Sequence, residues 1–258
     1  ILSFIFGALI ILHFSWIVLL LYPEKETFEG ENFPNLSIVI PAHNESKSIV
    51  STIRKVLHAP YPQEKEIIVI DDGSQDNTKE IVKKISLKEK GVRIYSLNHQ
   101  GKANALNFGV KKANYEVIIA LDADSEIEKD ALTKIVKPFA KKNVGAVSGI
   151  IRAKYTKNPL TWFQDFEYIL SSGWRFVCNK ISGTYIFPGF LAFKKEAWSK
   201  ISGFQDDTYS EDFDIGLRLK KAGYDLAMST ATIYTKVPET FRGLIRQRIR
   251  WGRGTVQV

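Results

Sequence analysis

Val117-Ile-Ile-Ala-Leu-Asp-Ala-Asp124 is the stretch whose reading decides the fold. Five apolar residues, three of them β-branched, run unbroken into the carboxylates Asp122 and Asp124. A continuous apolar run, rather than an alternating one, is what a strand covered on both faces of a parallel sheet requires. Two upstream segments are built the same way. Leu36-Ser-Ile-Val-Ile40 leads into Pro41-Ala-His-Asn-Glu45, and the run from Glu66 to Ile70 ends at Asp71-Asp72-Gly73-Ser74. Val92 to Leu97 is a further strand. Segments of helical period lie between them: Asn44 to His58, a stretch capped by Asp76 or Asn77 with Ile81, Val82 and Ile85 inward, Lys102 to Ala113, and Asp130 to Ala140. Strands alternating with helices of about ten residues give βαβ units, a parallel sheet and right-handed crossovers. Ligands bind beyond the carboxyl ends of such strands, where both acidic pairs fall.

The second half is less regular. Val144 to Ile151 reads as a strand and Leu160 to Phe176 as an aromatic-rich amphipathic stretch. Phe187-Pro-Gly-Phe190 is a turn before a short strand, Leu191 to Phe193, and Ser210 to Ala222 is a helix. Phe241 to Arg253 is an Arg-rich amphipathic helix whose Phe241, Leu244, Ile245 and Trp251 suit lipid or protein. At the other end, residues 1–22 contain no Lys, Arg, Asp or Glu, enough to cross a hydrocarbon core of roughly 30 Å. The expected organisation is a transmembrane helix over 1–22, an acidic linker over 23–35, one α/β domain over 36–240 and an interface helix over 241–258.

Composition narrows the setting. The 258 residues are 45% hydrophobic and 25% charged, ordinary for a globular domain, with a net charge of +8. A basic balance suits nucleic acid, an anionic membrane surface or a phosphate-bearing substrate. No nucleic-acid motif is present and the Lys residues are dispersed, so nucleic acid is not an expected partner. The lone Cys178 excludes an intrachain disulfide, and no Cys/His cluster has zinc spacing, which fits a reducing, cytoplasmic face.

Several residue groups carry chemistry, and each has a plainer alternative. Pro41, Ala42, Asn44 and Glu45 leave a strand for a helix, where backbone N–H groups can face an anion or simply form a capped turn. Asp71 or Asp72 can accept a hydrogen bond from a base N–H, or only cap the next helix. Asp122 and Asp124, at i and i+2 of an extended segment, share one side and offer hard oxygens to Mg²⁺ or Mn²⁺; a solvated turn is the alternative. Lys102 can reach a phosphate or be a surface cation. Glu211 and Asp212 either complement a helix dipole or supply a general base. Gln247, Arg250 and Trp251 lie at i, i+3 and i+4, so one helical face presents a phosphate-binding guanidinium and an indole that can stack on a sugar.

Taken together, Ser37–Glu45, Val69–Ser74, Ala120–Asp124, Glu211-Asp212 and Gln247-x-x-Arg-Trp251 resemble the inverting family 2 glycosyltransferases. The resemblance runs from about Asn35 to Thr255. It is nearest the processive branch of cellulose, hyaluronan, chitin and poly-N-acetylglucosamine synthases. It implies a glycosyltransferase A-type fold (a Rossmann-like mixed sheet), a nucleotide-sugar donor, expected to be a UDP-sugar, and a divalent metal. Carried onto this chain, Asp71 and Asp72 would contact uridine, Asp122 would lie near the nucleotide and Asp124 would bind the metal. Lys102 would approach the diphosphate and Asp212 would be the base. Phe187, Pro188 and Gly189 would line the acceptor site, with Glu211, Gln247, Arg250 and Trp251 at the acceptor and diphosphate. His43 stands where the family usually has Tyr. The implied enzyme sits at the cell membrane, faces the cytoplasm and extends a β-linked polysaccharide. Two alternatives stand beside it: single-sugar transfer to a polyprenyl phosphate or glycolipid, and a nucleotide-sugar binding module without turnover.

Overall fold

The structure, a computed structural model, describes residues 2–21, 33–181, 189–208 and 210–257. Most of the expected 23–35 linker, and Phe187 and Pro188, lie outside the described residues. Eight strands form one mixed sheet: β1 (Leu36–Ala42), β2 (Lys65–Asp72), β3 (Val92–Leu97), β4 (Val117–Leu121), β5 (Glu126–Ile127), β6 (Val144–Ala153), β7 (Phe190–Lys194) and β8 (Asp225–Thr235), in the order β3-β2-β1-β4-β7-β6-β8-β5. The first four strands pair in parallel, with β2 and β4 flanking β1. Beyond β4 the direction changes: β7 is antiparallel to both β4 and β6, and β6 pairs in parallel with β8.

The apolar runs are buried on both faces, as their composition requires. All seven residues of β1 are buried. Its side chains alternate between two cores. Ile38 and Ile40 join one with α2 (Ile49–His58), α3 (Thr78–Ser86) and α5 (Ala131–Val136), while Val39 joins the other with α4 (Lys102–Lys112), α7 (Lys195–Lys200) and α8 (Glu211–Lys221). α6 (Pro159–Lys180) packs beside β6, and α9 (Phe241–Gln257) is the last helix described.

Three differences from the expected elements have local causes. α2 starts at Ile49 instead of Asn44 because Asn44 is left-handed, with φ of 57°, and its Oδ1 accepts the Gln75 and Asp76 N–H groups at 2.8 and 3.3 Å. The helix expected over 130–140 tightens to a 3-10 turn at Lys137–Ala140, where Pro138 cannot donate to the ladder. β8 has no unbroken apolar run, since Ser229, Thr230 and Thr232 interrupt it, yet it pairs along β6 with a register shift.

α1 (Leu2–Leu21) answers to the apolar N-terminal segment and carries no charged side chain. Its side chains are described in interrupted stretches, and among the described residues no helix is long and apolar enough to cross a membrane. α1 lies on α6: Trp16 meets Trp174 edge-on at 4.2 Å, and Lys180 Nζ donates to the Leu19 carbonyl.

Candidate active site

Strand order reverses between β1 and β4, so the connections after these two strands leave in opposite directions and open a crevice. Asp71 and Asp72 close β2 on one side of it, and Asp122 follows β4. Because Leu121 pairs with Phe190 in an antiparallel register, the start of β7 lies beside the end of β4. Gly189 then stands at Asp122 with φ of 53°, where an added Cβ would be 3.1 Å from Asp122 Oδ2.

The crevice deepens into a cavity of about 400 Å³ that brings together Lys102, Asp122, Asp124, Gly189, Glu211, Asp212, Gln247, Arg250 and Trp251. Residues from β4, α4, α8 and α9 thus share one space. Lys102 Nζ bridges Asp122 Oδ1 at 2.7 Å and Glu211 Oε1 at 2.8 Å. Desolvation alone would lower the Lys102 pKa, but Asp122, Glu211 and Asp212 override it and hold the ammonium charged, well above its usual range. Burial opposes the Glu211 charge, yet Lys102 keeps its pKa below the ordinary carboxylate range.

Two carboxylates are shifted the other way. Burial, then the charges of Glu211 and Asp122, push Asp212 up to about 6, while Lys102 and the Phe213 N–H restrain the shift. That N–H reaches Asp212 Oδ1 at 2.9 Å. Burial, then Asp122 and Glu45, push Asp124 up to about 6, partly offset by the Thr235 Oγ1 contact at 3.3 Å and the charge of Lys102, while Ser125 Oγ lies 3.4 Å from the same oxygen. Asp122, Asp124 and Glu45 therefore concentrate negative charge that Lys102, shared with Glu211, only partly offsets. Hard carboxylate oxygens in that state fit a Mg²⁺ or Mn²⁺ ion. By contrast Glu66, at the far end of the strands, is saturated by Ser37, Arg93 and Asn114.

The remaining nucleotide-side residues form a ledge next to the cavity. Pro41 and Ala42 are buried in the last turn of β1. Asn44 and Glu45 tie the loop after β1 to the loop after β2, through Ser74 Oγ and Thr78 Oγ1. Asp71 Oδ1 accepts the Ser74 N–H at 3.2 Å. Both Asp72 oxygens are occupied, by the Gln100 and Gly101 N–H groups at 2.8 and 3.0 Å, and Asp72 Oδ2 also lies 2.9 Å from His99 Nδ1. His43 donates from Nδ1 to the Asp72 carbonyl at 2.7 Å, and its ring stacks on His99 at 4.2 Å. Among the described residues, His43, Asp72 and His99 bring ligand atoms within 4.8 Å of one another, a set that could hold a metal ion. Sequence spacing gave no sign of it, because the three residues come from three different loops.

The sequence reading also passed over part of the cavity wall. α6 contributes Glu167, Tyr168, Ser171, Trp174 and Arg175, and Lys236 enters after β8. The signal was the run of aromatics in α6, read as an amphipathic stretch with no site role. Tyr168 lies 6.2 Å from the Trp251 ring, whose indole is covered by Arg248 at 4.2 Å, itself paired with Glu167 at 2.5 Å. α9 is seated against the start of α8 at buried Gly254: an added Cβ there would fall 1.9 Å from Ser210 Oγ.

A parallel half-sheet that turns mixed past its switch point, with acids on one wall and a basic aromatic helix on the other, defines the class of glycosyltransferase A-type folds. A mannosyltransferase from Pyrobaculum calidifontis, solved with GDP-Man and Mn²⁺, is 27% identical with a TM-score of 0.81 over 98% of this chain and 70% of its own. GalNAc-T7, solved with UDP, GalNAc and Mn²⁺, shares the fold at a TM-score of 0.64 and 16% identity, over 85% of this chain and 48% of its own. In sequence, the poly-beta-1,6-N-acetyl-D-glucosamine synthase of Staphylococcus epidermidis is 35% identical over 246 residues, 93% of this chain. That of Staphylococcus aureus (strain COL) is 33% identical over 243 residues, 91% of this chain. The chain spans 58% of the length of each. The family model for glycosyl transferase family 2 matches residues 37–201, and the chain belongs to that family.

Proposed function

We propose that this chain is the catalytic part of a membrane-bound, inverting β-glycosyltransferase that moves N-acetylglucosamine from a UDP-sugar onto the end of a growing polysaccharide. The observation that carries the reading is the single cavity holding Lys102, Asp122, Asp124, Asp212, Gln247, Arg250 and Trp251. Its likeness to the two staphylococcal synthases supports the sugar and the polymer.

Asp212 is the base. With a pKa near 6 it is ionised at neutral pH yet basic enough to take the acceptor's hydroxyl proton. The freed oxygen attacks the anomeric carbon opposite the leaving diphosphate, so an α-linked donor gives a β-linked product. Lys102 and Arg250 neutralise the departing phosphate charge. Asp124, with Asp122 beside it, holds Mg²⁺ or Mn²⁺, which supplies further charge neutralisation to the diphosphate when bound. Asn44, Glu45, Asp71 and Asp72, in the loops after Pro41 and Ala42, form the nucleoside ledge. Tyr168, Trp174 and Trp251 give aromatic faces for the acceptor sugar, with Glu211 bracing Lys102 and with Gly189 in the same cavity.

The membrane assignment rests on α1. In sequence, residues 1–22 hold no Lys, Arg, Asp or Glu, the composition and length that a hydrocarbon core of roughly 30 Å asks for. α6 exposes Trp162, Phe163, Phe166 and Leu170, and α9 exposes Phe241, Ile245 and Ile249, so lipid is the natural partner of both. The nucleotide-sugar donor places the domain, residues 36–240, on the cytoplasmic side, with 241–258 as the interface helix and 23–35 as the linker.

A second reading keeps the chemistry and changes the donor to GDP-mannose, on the strength of the likeness to the archaeal mannosyltransferase. Turnover of UDP- and GDP-sugars by membranes carrying the chain, with and without EDTA, separates the two. UDP-N-acetylglucosamine as preferred donor, with a product longer than one residue, is the expected result. Preference for GDP-mannose, or one residue found only on lipid, would replace it.

A further inference from the structure

α6 holds a buried cation that no carboxylate pairs among the described residues. Arg175 is 7% exposed, on a helix whose other inward charge, Asp165, is fully matched by Arg152 at 2.8 and 2.7 Å. Among the described residues the Arg175 fork meets only neutral groups: Ser148 Oγ at 3.2 Å, Ser172 Oγ at 3.0 Å and the Gly149 carbonyl at 3.5 Å. Its Nε–H is buried with no acceptor. A guanidinium has five donors, and burying one without an anion is costly, so such a group persists where a ligand completes it. Arg175 also lines the cavity described above.

Its place in that cavity indicates which ligand. Asp212 is the carboxylate whose charge bears on Arg175, whereas Lys102 answers to Asp122 and Glu211 as well. Lys102 is tied to Asp122 and Glu211, whereas Arg175 shares the cavity wall with Tyr168 and Trp174 of its own helix, the aromatic faces assigned to the acceptor sugar. In a single displacement the acceptor must approach from opposite the diphosphate. Burial pulls the Arg175 pKa down to about 10, which leaves it charged at neutral pH.

We infer that Arg175 is an acceptor-binding residue, whose guanidinium, with its Nε–H left without an acceptor, takes an oxygen of the sugar ring carrying the nucleophilic hydroxyl. This rests on the proposed function and adds a residue that the motifs do not contain.

The test titrates a β-1,6-linked N-acetylglucosamine tetrasaccharide at saturating UDP-N-acetylglucosamine, with the full chain in membranes and UDP release as readout. Arg175→Gln should raise the tetrasaccharide KM at least tenfold, about 1.4 kcal/mol and the low end for a charge-assisted hydrogen bond. The donor KM and the slow hydrolysis without acceptor should stay within about twofold. Ser148→Ala and Ser172→Ala, which loosen the packing but keep the fork, should change the acceptor KM little. A purely structural arginine gives the opposite pattern: both KM values unchanged with kcat reduced, or the Ser variants reproducing the effect. If Arg175→Gln fails to bind UDP, Arg175→Lys carries the comparison. It keeps the charge and loses the fork, so the acceptor KM should still rise, and a wild-type value overturns the inference. A wild-type chain that turns over donor without saturating in tetrasaccharide also overturns it, while one that binds no nucleotide sugar overturns the proposed function itself.

Discussion

Replacing Gly254 by Ala tests how the two walls of the cavity are held together. Gly254 is the point where α9 touches the first residue before α8, and α8 begins with Glu211 and Asp212. The new methyl would sit 1.9 Å from Ser210 Oγ, 2.7 Å from its Cβ and 3.1 Å from its backbone N. Turning the hydroxyl away relieves only the first contact. The remaining Cβ contact still requires α9 to retreat by about 1 Å, and overpacking of this kind costs roughly 1–3 kcal/mol. Gln247, Arg250 and Trp251 ride on the same helix and would shift relative to Asp212. A displacement of about 1 Å in a catalytic arrangement costs on the order of 100-fold in rate. We therefore expect Gly254→Ala to lower kcat roughly 100-fold, with UDP affinity nearly unchanged because the nucleoside ledge does not involve α9. Ser210→Gly in the same chain removes the obstructing side chain and should restore most of the activity. Initial rates and UDP binding on the two single variants and the double variant measure this. Full activity of Gly254→Ala, or no rescue by Ser210→Gly, would refute the claim that this contact sets the site.

Other outcomes follow from the charges. Since Asp212 acts as a base and its pKa is raised to about 6, kcat/KM should be flat above pH 6 and fall about tenfold per unit below it; a limb near pH 4 would show an unshifted carboxylate. Lys102→Met should cut kcat by about 100-fold or more and move that limb to higher pH, because Lys102 is the cation that restrains the Asp212 shift; an unmoved limb contradicts the geometry. Asp124 has a folded pKa above its unfolded value, so in metal-free protein its ionised form destabilises the fold as pH rises through about 6. Asp124→Asn should then raise the metal-free Tm at pH 8 but not at pH 4, and abolish the further rise that Mn²⁺ gives the native chain. Deleting residues 1–22 should release the chain from membranes under alkaline carbonate; retention would move the anchor to α6 and α9.

What the sequence disclosed and what it hid divide along a physical line. β1 and β4 were legible because a strand covered on both faces must be apolar throughout, and their carboxyl ends located the acids. β8 was not, since its buried Ser229 and Thr232 are satisfied by contacts no local pattern displays, such as Ser229 Oγ to the Lys134 carbonyl at 2.7 Å. The late start of α2 depends on Asn44 meeting residues 31 and 32 positions away. The His43–His99 stack and the Arg175 fork are likewise products of tertiary contact. Arg175 drew no reading of its own within the aromatic-rich amphipathic stretch, and only its burial beside Ser148 exposes the Nε–H without an acceptor. Gly254 was invisible for the same reason: the need for no side chain arises from Ser210, on another helix.

The most direct test is Asp212→Asn, measured for transfer and for UDP binding on the same preparation. The amide keeps the shape and the Phe213 N–H contact but cannot take a proton, so transfer should disappear while UDP binds as before. Substantial transfer by that variant would mean that the acceptor is deprotonated elsewhere and that the cavity has been assigned the wrong chemistry.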